Sequence, residues 1–565
     1  MHRRTASIGS RATVLLLLTL CALATPALAA AGTPAPTLES EVDAMLSAAF
    51  PADAPGAAVI VVKDGSVVYR KGFGRANLEL QVPIRPENVF EIGSVTKQFT
   101  AVAVMMLVDE GKLALDDDVR KYIPDFPDKG AKITVEHLLT HTSGVPSYTG
   151  LPAWLKLWRQ DMSPAEILAL TKDLPLEFPP GTEFRYNNTG YTMLGMVIEK
   201  ASGMSYGDFV ARRIFEPCGM RSSLYGSKQA LIANRAFGYT RGEKGWENAA
   251  YLSMTQPYAA GSLMSTVDDL AAWDRAVSGG KLLSKASWDR VFTPYRLANG
   301  ESTGYSYGWG IATFDSHRVV RHNGGISGYV SEVLRMPDDR VFVAMLTNSD
   351  SPPVDTGFVV TKIAAAAIGK PFREPAAITL DEKALDALVG VYDVDPTTTR
   401  TVTREGTRLF TQRSGRPKLE VFASSPNELF YRDSFTRITI ERDPAGAVTG
   451  MVMRTAEGPE QRAVRTSKPI PAETVAITID PAVLAKYVGF YEIAPTFAIE
   501  VTAEGGQLFA QATGQPKFEL FAKSTTEFFL KVVDARLVFS TAADGTASGL
   551  TLHQGGREIP GRKIR

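Results

Sequence analysis

Residues 90–109 read FEIGSVTKQFTAVAVMMLVD, and the tetrapeptide Ser94-Val95-Thr96-Lys97 lies where a loop is predicted to turn into a long apolar helix. In a helix that begins near Ser94, the hydroxyl lies beside the free N–H groups at the positive end of the helix dipole, and Lys97 lies one turn further on. A lysine in apolar surroundings is partly neutral near pH 7, so it can help to remove the serine proton. On its own, S-x-x-K equally fits a helix N-cap followed by a solvated lysine, and other residues must decide between these interpretations. The helix offers an inward face made of Phe99, Val102, Met106 and Leu107.

A tyrosine and an asparagine two positions apart follow in the segment FRYNNTGY, residues 184–191, on a predicted loop before an apolar helix. The Tyr186 oxygen can carry protons, and the Asn188 amide can position a lysine or a substrate carbonyl, so the pair suits acyl transfer. The competing interpretation is a helix-capping asparagine beside a packed tyrosine.

A glycine-containing segment, RHNGG at residues 321–325, joins two predicted strands, residues 317–321 and 329–334. A bare His-x-Gly is weak evidence for any function. Glycines at a strand edge nevertheless let the backbone approach a ligand closely, so His322 and Gly324 are candidate substrate-binding residues.

In this order and spacing, the three motifs resemble those of the serine β-lactamase and penicillin-binding-protein family. The resemblance is strongest to the branch of class C β-lactamases, D-alanyl-D-alanine carboxypeptidases, D-aminopeptidases and carboxylesterases. Further segments match as well: ITVEHLLTHTSG at 133–144, YTMLGMVIE at 191–199, GSLMST at 261–266 and YGWG at 307–310. The resemblance covers about residues 40–370 and implies a mixed α/β fold, with an antiparallel sheet flanked by helices and an all-helical part.

The resemblance also implies a role for each motif residue. Ser94 becomes the acylated nucleophile, Lys97 its activating neighbour, and Tyr186 the general base and acid. Asn188 becomes a partner of the substrate amide and of the lysine. The oxyanion hole comprises the backbone N–H groups of Ser94 and Gly325, and two such donors typically lower the barrier by several kcal/mol. No cofactor and no metal ion are implied.

One position departs from the β-lactamase pattern, because His322-Asn323-Gly324 stands where that pattern has Lys-Thr-Gly. A lysine there is a fixed positive charge for a substrate carboxylate, whereas histidine is mostly neutral above about pH 6.5. We therefore expect amides or esters without a carboxylate at that point to be better substrates than β-lactams or peptides ending in D-alanine. Histidine at this position is typical of the D-aminopeptidase and esterase branches.

The sequence thus favours a serine hydrolase that forms an acyl-enzyme and acts on peptide amides containing a D-residue, like a D-aminopeptidase or a D-alanyl-D-alanine carboxypeptidase. A carboxylesterase or a β-lactamase would use the same catalytic residues. A third interpretation, from another class, is a penicillin-binding or peptidoglycan-sensing protein whose deacylation is slow. In each case the expected partner is a small peptide, amide or ester.

The N-terminus has the pattern of a secretory signal. A basic start precedes an apolar run at residues 12–24, and Ala-Leu-Ala at 27–29 forms a small-x-small cleavage site. We expect cleavage after Ala29, a periplasmic or secreted protein, and no integral membrane segment afterwards. Cleavage would leave Cys218 as the single cysteine, so no intrachain disulfide is expected. Lys plus Arg and Asp plus Glu balance at 61 each, so no basic field attracts nucleic acid.

The C-terminal part repeats itself at an offset of 99 residues without an insertion. The pattern L-x-x-x-V-G-x-Y at 385–392 recurs at 484–491, and the register then holds to the glycines near each end. Alternating apolar residues and closely spaced turns predict antiparallel sheets that must close to hide their edges. We therefore predict two small β-barrels, which resemble the lipocalin-like domains that follow the catalytic domain in some D-amino-acid peptidases of this family. Such barrels could restrict substrate length, mediate homo-oligomerisation or bind a glycan or lipid.

The predicted organisation has six parts. They are a signal peptide at 1–29, a hydrolase domain at 30–370, a linker at 371–380, a first barrel at 381–467, a second linker at 468–479 and a second barrel at 480–565.

Two rival motifs are weaker. His137 and His141 lie four positions apart on a predicted helix, a spacing that can bind zinc, but the glutamate of H-E-x-x-H is absent between them. Ser143 precedes a glycine as a nucleophile can, yet it lacks a lysine or histidine base at helical spacing and is predicted to be a turn residue. Neither motif is expected to carry the chemistry.

Overall fold

The computed structural model describes residues 37–151, 154, 156–432, 434–455, 460–471, 476–494, 497–513, 515, 517–554 and 557–564. The predicted signal peptide and its cleavage site lie outside these residues. Within them, no helix is both long and apolar enough to cross a membrane.

The hydrolase domain is built on a six-stranded antiparallel sheet with the strand order β3-β4-β5-β6-β1-β2. Its strands are β1 (Ala57–Lys63), β2 (Ser66–Phe73), β3 (Gly310–Phe314), β4 (His317–Ile326), β5 (Tyr329–Met336) and β6 (Val341–Thr347). Asp64 and Gly65 turn β1 into β2 with positive φ angles of 54° and 79°. This is the turn chemistry that favours a two-residue hairpin loop.

Both faces of the sheet are covered by helices, so the interior strand β1 is apolar over most of its length and almost entirely buried. On one face, alternate residues of β1 pack against the first helix and the last helix of the domain. On the other face, the remaining residues of β1 belong to the core that also contains the helix following Ser94, and the helix Val267–Ser278 contacts β1 directly. The predicted antiparallel sheet flanked by helices is confirmed.

Within the part of the chain that the structure describes, five helices are longer than two turns. They are α1 (Leu38–Ala49), α2 (Thr96–Asp109), α3 (Asn188–Ser202), α4 (Val267–Ser278) and α5 (Thr356–Ala367). The shorter α-helices are Val135–Leu139, Pro164–Ala169, Tyr206–Val210, Glu216–Cys218, Tyr258–Gly261, Lys285–Val291, Glu382–Leu388 and Pro481–Leu484. One π-helical turn spans Ala211–Phe215, and 3-10 turns span Gly93–Val95, Val119–Lys121, Tyr148–Gly150 and Ala485–Tyr487.

Short strands complete the hydrolase domain. They are Arg75–Asn77, Val82–Pro83, Phe90–Glu91, Leu224–Tyr225, Tyr239–Gly242, Gly245–Asn248 and Leu263–Ser265.

Helix α2 lies at the centre of the helical part of the domain. Every residue from Thr96 to Leu107 is buried, so the predicted inward face is buried and the opposite face is buried as well. A helix that is apolar on all sides is stable only inside a large core, which explains the run AVAVMML within it. This burial also fixes Lys97, in the first turn, inside the protein.

The C-terminal part forms two closed antiparallel barrels of eight strands each, as predicted. The first consists of Gly390–Asp393, Thr399–Glu405, Arg408–Arg413, Lys418–Ser425, Glu428–Phe430, Arg437–Arg442, Val448–Arg454 and Gln461–Arg465. The second consists of Gly489–Ala494, Phe497–Glu504, Gln507–Ala512, Lys517–Ala522, Glu527–Phe529, Ala535–Thr541, Ala547–Gln554 and Arg557–Lys563. The repeat extends to single hydrogen bonds: Tyr392 Oη donates to the carbonyl oxygen of residue 388 at 2.6 Å, and Tyr491 Oη to that of residue 487 at 2.7 Å.

One aromatic residue ties the first barrel to the hydrolase domain. The Phe435 ring lies 4.9 Å from the ring of Phe314, 5.2 Å from that of Phe358 and 4.9 Å from that of Phe372. Phe314 and Phe358 belong to β3 and α5, on the face of the sheet opposite to α2. The position equivalent to Phe435 in the second repeat is Asp534, which is exposed, so the two barrels do not share this contact.

Two local predictions were wrong. The RHNGG segment does not join two strands but lies inside β4, which runs without interruption from His317 to Ile326. The helix predicted to carry both His137 and His141 ends at Leu139, and His141 lies beyond it with a left-handed φ of 59°. The two imidazoles therefore do not share a helical face, which removes the geometric basis of the zinc-site alternative.

Candidate active site

Ser94 lies in the middle of the 3-10 turn that leads directly into α2. Two glycine contacts bring this turn against β4. A Cβ on Gly93, whose φ is 48°, would lie 3.1 Å from the nitrogen of Gly325. A Cβ on Gly324 would collide with the carbonyl oxygen of Ile92 and would lie 2.9 Å from the nitrogen of Ser94. Glycine at positions 93 and 324 therefore lets the two backbone segments approach each other, so that the amides of Ser94 and Gly325 lie close together.

Lys97 is fully buried, and its amine contacts three oxygens. Nζ lies 3.0 Å from Ser94 Oγ, 2.8 Å from Asn188 Oδ1 and 2.9 Å from the carbonyl oxygen of Ala260. Burial lowers the pKa of Lys97 well below its usual value. A neutral amine has two N–H donors and one lone pair, so it can donate to the two carbonyl oxygens and accept the Ser94 proton.

Asn188 is the first residue of α3, and its side-chain orientation is set from the other side of the site. Its Nδ2 donates to Thr149 Oγ1 at 3.1 Å, and its backbone N–H donates to Ser147 Oγ at 3.2 Å. With Nδ2 held there, Oδ1 faces Lys97. Asn187 supplies the helix cap, because its Oδ1 accepts the backbone N–H of Gly190 at 2.7 Å.

Tyr186 lies beside the amine and the serine. The Lys97 Nζ is 4.7 Å from the centroid of the Tyr186 ring, and the tyrosine hydroxyl is hydrogen-bonded to the Ser94 side chain. The residue is 40% exposed, so the ring also borders the opening of the site. Burial of the hydroxyl end raises the pKa of Tyr186, and the hydrogen bond with Ser94 offsets part of this rise. The hydroxyl therefore keeps its proton near neutral pH.

His322 lies in β4 within the same cluster, with its ring 6.3 Å from that of Tyr186. Its Nδ1 is 2.6 Å from the carbonyl oxygen of Asn323, and its Nε2 is 2.9 Å from Tyr305 Oη. The tautomer with the proton on Nδ1 satisfies both contacts, because Nε2 then accepts from the tyrosine. Burial, with a smaller contribution from Lys97, lowers the pKa of His322 to about 3. The imidazole is therefore neutral at physiological pH.

A buried ion cluster lies just before the nucleophile. The Glu91 side chain is fully buried, and its Oε1 is 2.6 Å from Lys228 Nζ and 2.9 Å from Arg235 Nη2. The second carboxylate oxygen has no hydrogen-bond partner in the described part of the chain. This cluster ties the segment before Ser94 to a loop more than 130 residues later in the sequence. Breaking such a buried pair typically costs 3–5 kcal/mol, roughly the stability margin of a small domain.

The structure gathers the predicted site residues Ser94, Lys97, Tyr186, Asn188, His322, Gly324 and Gly325 into one cluster. His137 lies apart from them, in a capping box with Thr134. Ser143 is buried and accepts the backbone N–H of Val145 at 3.3 Å, as a turn residue does. Among the residues described, no group of three or more His, Cys, Asp or Glu side chains could hold a metal ion.

Sequence reasoning missed several residues that surround this cluster. They are Glu91, Lys228 and Arg235 in the ion cluster, Ser147 and Thr149 behind Asn188, Tyr305 behind His322, and the carbonyl of Ala260 beneath Lys97. The motif segments at 133–144 and 261–266 end close to some of them, but the local pattern does not show that they contact the site.

A serine hydroxyl 3.0 Å from a buried lysine amine, beside a sheet flanked by helices, is the arrangement of a serine hydrolase of the β-lactamase type. Residues 45–368 match the Beta-lactamase family, and the chain belongs to that family. Residues 374–466 and 473–563 each match a domain of unknown function, DUF3471, so the two barrels are copies of one domain.

Named relatives support the same assignment. The chain is 31% identical over 439 residues to penicillin-binding protein 4* of Bacillus subtilis, and the alignment covers 72% of this chain and 94% of the relative. It is 28% identical over 429 residues to a D-aminopeptidase of Gluconobacter oxydans, and this alignment covers 75% of this chain and 76% of the relative. An octameric penicillin-binding protein homologue from Pyrococcus abyssi has a similar structure, with a TM-score of 0.52, 29% identity, and coverage of 75% of this chain and 97% of that chain.

Proposed function

We propose that this protein is an exported serine hydrolase that forms an acyl-enzyme on Ser94 and hydrolyses amide bonds in peptides containing a D-residue. One observation carries the chemical part of the proposal: the amine of Lys97 is buried, has a lowered pKa and lies 3.0 Å from Ser94 Oγ. The similarity to a D-aminopeptidase supports the substrate class.

Acylation begins with proton transfer from Ser94 Oγ to the lone pair of Lys97 Nζ. The oxygen attacks the substrate carbonyl carbon, and the backbone N–H groups of Ser94 and Gly325 stabilise the resulting oxyanion. The Tyr186 hydroxyl gives its proton to the leaving nitrogen, and the resulting phenolate takes up the proton that Lys97 had accepted from Ser94. The two pKa directions support this division of roles. A lysine with a lowered pKa is more readily neutral and then has a free lone pair for the serine proton, whereas a tyrosine with a raised pKa keeps its proton and can donate it. The family resemblance alone had made Tyr186 both base and acid.

Deacylation uses the same groups in reverse. A water molecule takes the place of the leaving amine and gives a proton to Tyr186 as Tyr186 gives its own proton to the neutral amine of Lys97. The hydroxide attacks the ester carbonyl, and the Ser94 oxygen leaves as it takes a proton from the Lys97 ammonium. A protein with slow deacylation would stop at the acyl-enzyme, as the penicillin-binding alternative requires.

The substrate preference rests on His322. A neutral imidazole whose two nitrogens are already bonded offers no fixed charge to a carboxylate. Uncharged amides are therefore preferred over β-lactams. Esters fit the same site, so carboxylesterase activity is the second candidate function.

The proposal is tested by labelling with a fluorophosphonate, mapping the modified residue, and measuring turnover of paired D- and L-amides and p-nitrophenyl esters. The expected result is a label on Ser94, steady turnover of D-amides, and no turnover by Ser94→Ala, which should remain folded. Ester turnover without amide turnover would replace the peptidase by an esterase. A burst of product without a steady rate would favour the penicillin-binding or sensing alternative, and an active Ser94→Ala would refute the serine mechanism.

Export and assembly are proposed together with this function. The N-terminal sequence of the protein recovered from the periplasm or the medium is expected to begin at Ala30, after cleavage behind Ala29. The octameric relative supports homo-oligomerisation. Light scattering of the full chain, compared with a chain that ends before the first barrel, tests whether the barrels mediate it.

A further inference from the structure

We propose that His141 is a positioning residue for Tyr186: it holds the tyrosine loop from both sides and thereby places the phenol for proton transfer to the leaving group. The inference rests on the proposed function, because it assigns His141 a role in the reaction for which Tyr186 supplies the proton. His141 does not contact the reacting atoms in this scheme and acts through the tyrosine.

Two hydrogen bonds from the loop converge on this one residue. The backbone N–H of Arg185 donates to the carbonyl oxygen of His141 at 2.9 Å, and the backbone N–H of Asn187 donates to its Nδ1 at 3.1 Å. The amides on either side of Tyr186 are therefore both anchored to His141. The His141 ring also lies 4.4 Å from the Tyr186 ring, so it contacts the side chain that it positions.

The backbone of His141 has an unusual conformation that makes these contacts possible. Its φ of 59° is left-handed, a region that few non-glycine residues occupy and that histidine tolerates better than most. His141 is 1% exposed, so hydrogen bonds to solvent do not stabilise this conformation. Strained residues of this kind persist where the surrounding contacts require them, often beside an active site.

The hydrogen bonds also define the protonation state that the role requires. Because Nδ1 accepts a hydrogen bond from the backbone N–H of Asn187, the neutral ring carries its proton on Nε2. This nitrogen is buried and has no hydrogen-bond partner among the residues described. Leucine or phenylalanine would fill the same space without burying an unpaired N–H group, but neither could accept the Asn187 amide. A polar group kept at this cost indicates that the acceptor matters more than the packing.

The surroundings keep the ring neutral. The rings of Tyr186, Tyr191 and Tyr305 lie 4.4, 5.0 and 4.8 Å from it, and Lys97 and His322 are the nearby basic groups. Burial is the largest cause of the lowered pKa of His141, followed by repulsion from Lys97 and His322. In a protonated ring, Nδ1 would be a donor facing the N–H donor of Asn187, and the hydrogen bond between them would be lost.

The test compares two leaving groups in order to distinguish loss of Tyr186 positioning from a general loss of structure. An amide needs a proton on its leaving nitrogen, whereas p-nitrophenolate leaves without one. With an amide and a p-nitrophenyl ester of the same acyl group, His141→Leu is expected to lower kcat for the amide about 100-fold, within the range attributed to general acid–base catalysis. The ester rate and the rate of fluorophosphonate labelling of Ser94 should change less than about fivefold, and KM should change little.

Two further variants make the result specific. His141→Asn is expected to restore most of the amide rate, because asparagine tolerates a left-handed backbone and its Oδ1 takes the place of Nδ1. His137→Leu is the matched control: His137 also accepts a backbone N–H, from Thr134 at 3.3 Å, but lies outside the site, so both rates should stay at the wild-type level. If His141→Leu does not fold, His141→Asn and His141→Gln replace it, because glutamine places its acceptor one carbon further out.

The outcomes are distinct. Equal losses of amide and ester turnover in His141→Leu, or a full amide rate in that variant, would overturn the positioning role. So would a His141→Asn variant as impaired as His141→Leu. Failure of the proposed function itself would be visible in the wild-type protein, as absence of the label on Ser94 or absence of amide turnover.

Discussion

Replacing Lys97 by methionine tests both the chemistry and the electrostatics of the site. Methionine nearly matches the shape of lysine but has no amine, so the Ser94 proton loses its acceptor. General bases contribute typically 10²- to 10⁴-fold, and we expect kcat/KM to fall by at least about 10³-fold because the same group also relays the returning proton. The rate of fluorophosphonate labelling of Ser94 should fall with it.

The effect on stability has a sign that follows from the lowered pKa. In the unfolded chain Lys97 is protonated below about pH 10.4, whereas in the fold it loses its proton at a much lower pH. Folding therefore releases a proton between those two values, and the free energy of unfolding rises with pH across that window by about 1.4 kcal/mol per unit. At pH values below about 10.4 and above the folded pKa, the wild-type protein should therefore gain stability relative to Lys97→Met as the pH rises, by up to about 1.4 kcal/mol per unit.

The six tryptophans make this measurable on the hydrolase domain alone, since all of them lie between residues 154 and 309. Urea unfolding followed by tryptophan fluorescence, at pH 7.5, 8.5 and 9.5, gives the free energy of unfolding for both proteins. Other titrating groups are common to the two proteins and cancel in the difference. Parallel pH dependences would show that Lys97 stays charged in the fold, and the assignment of Lys97 as the base would then be wrong.

Three further predictions concern groups around the nucleophile and the first barrel. Glu91→Gln should destabilise the hydrolase domain by about 3–5 kcal/mol, because Lys228 and Arg235 lose their buried counter-charge; an unchanged urea midpoint would contradict this. Since folding holds His322 neutral, the free energy of unfolding should fall as the pH drops from about 6.5 towards 3, and this slope should be smaller in His322→Gln; an unchanged slope would refute the assigned neutral state. Phe435→Ala should speed proteolytic cleavage in the segment 371–380 while kcat stays at the wild-type value, with Asp534→Ala as the control; loss of activity would mean that barrel docking affects the catalytic site.

Local sequence patterns predicted the parts of the fold that depend on local physics. The hairpin turn at Asp64-Gly65 has such a local signal, because few residues other than glycine, asparagine and aspartate accept positive φ angles. The apolar run after Ser94 predicted α2, and the 99-residue repeat predicted two similar barrels. In these cases a few neighbouring residues, or a comparison within the chain, contain the whole signal.

The errors and omissions involve contacts between distant segments. His141 bonds to residues 185–187, more than 40 positions later, and a periodic pattern does not show that the helix before it stops at Leu139. The partners of Glu91 lie at positions 228 and 235, and no local motif links them. The glycines of RHNGG suggested a break between strands because glycine weakens strands, but Gly324 is required inside β4 by the close approach of Ile92.

Motif recognition located the catalytic cluster but not the state of its groups. The sequence indicated that Lys97, Tyr186 and His322 belong together, and the resemblance gave them roles. It could not show that His322 is doubly hydrogen-bonded and uncharged, nor that burial raises the pKa of Tyr186 and lowers that of Lys97. Those properties depend on burial, which a motif does not record.

Phe435 and Asp534 occupy equivalent positions in two copies of one domain, but they contact different parts of the chain. The Phe435 ring packs on the hydrolase domain, on the face of the sheet away from α2. The Asp534 carboxylate accepts the backbone N–H of Gly415, in the first barrel, at 3.4 Å. The same position of the repeat therefore joins each barrel to the domain that precedes it, through an aromatic contact in one copy and a polar contact in the other.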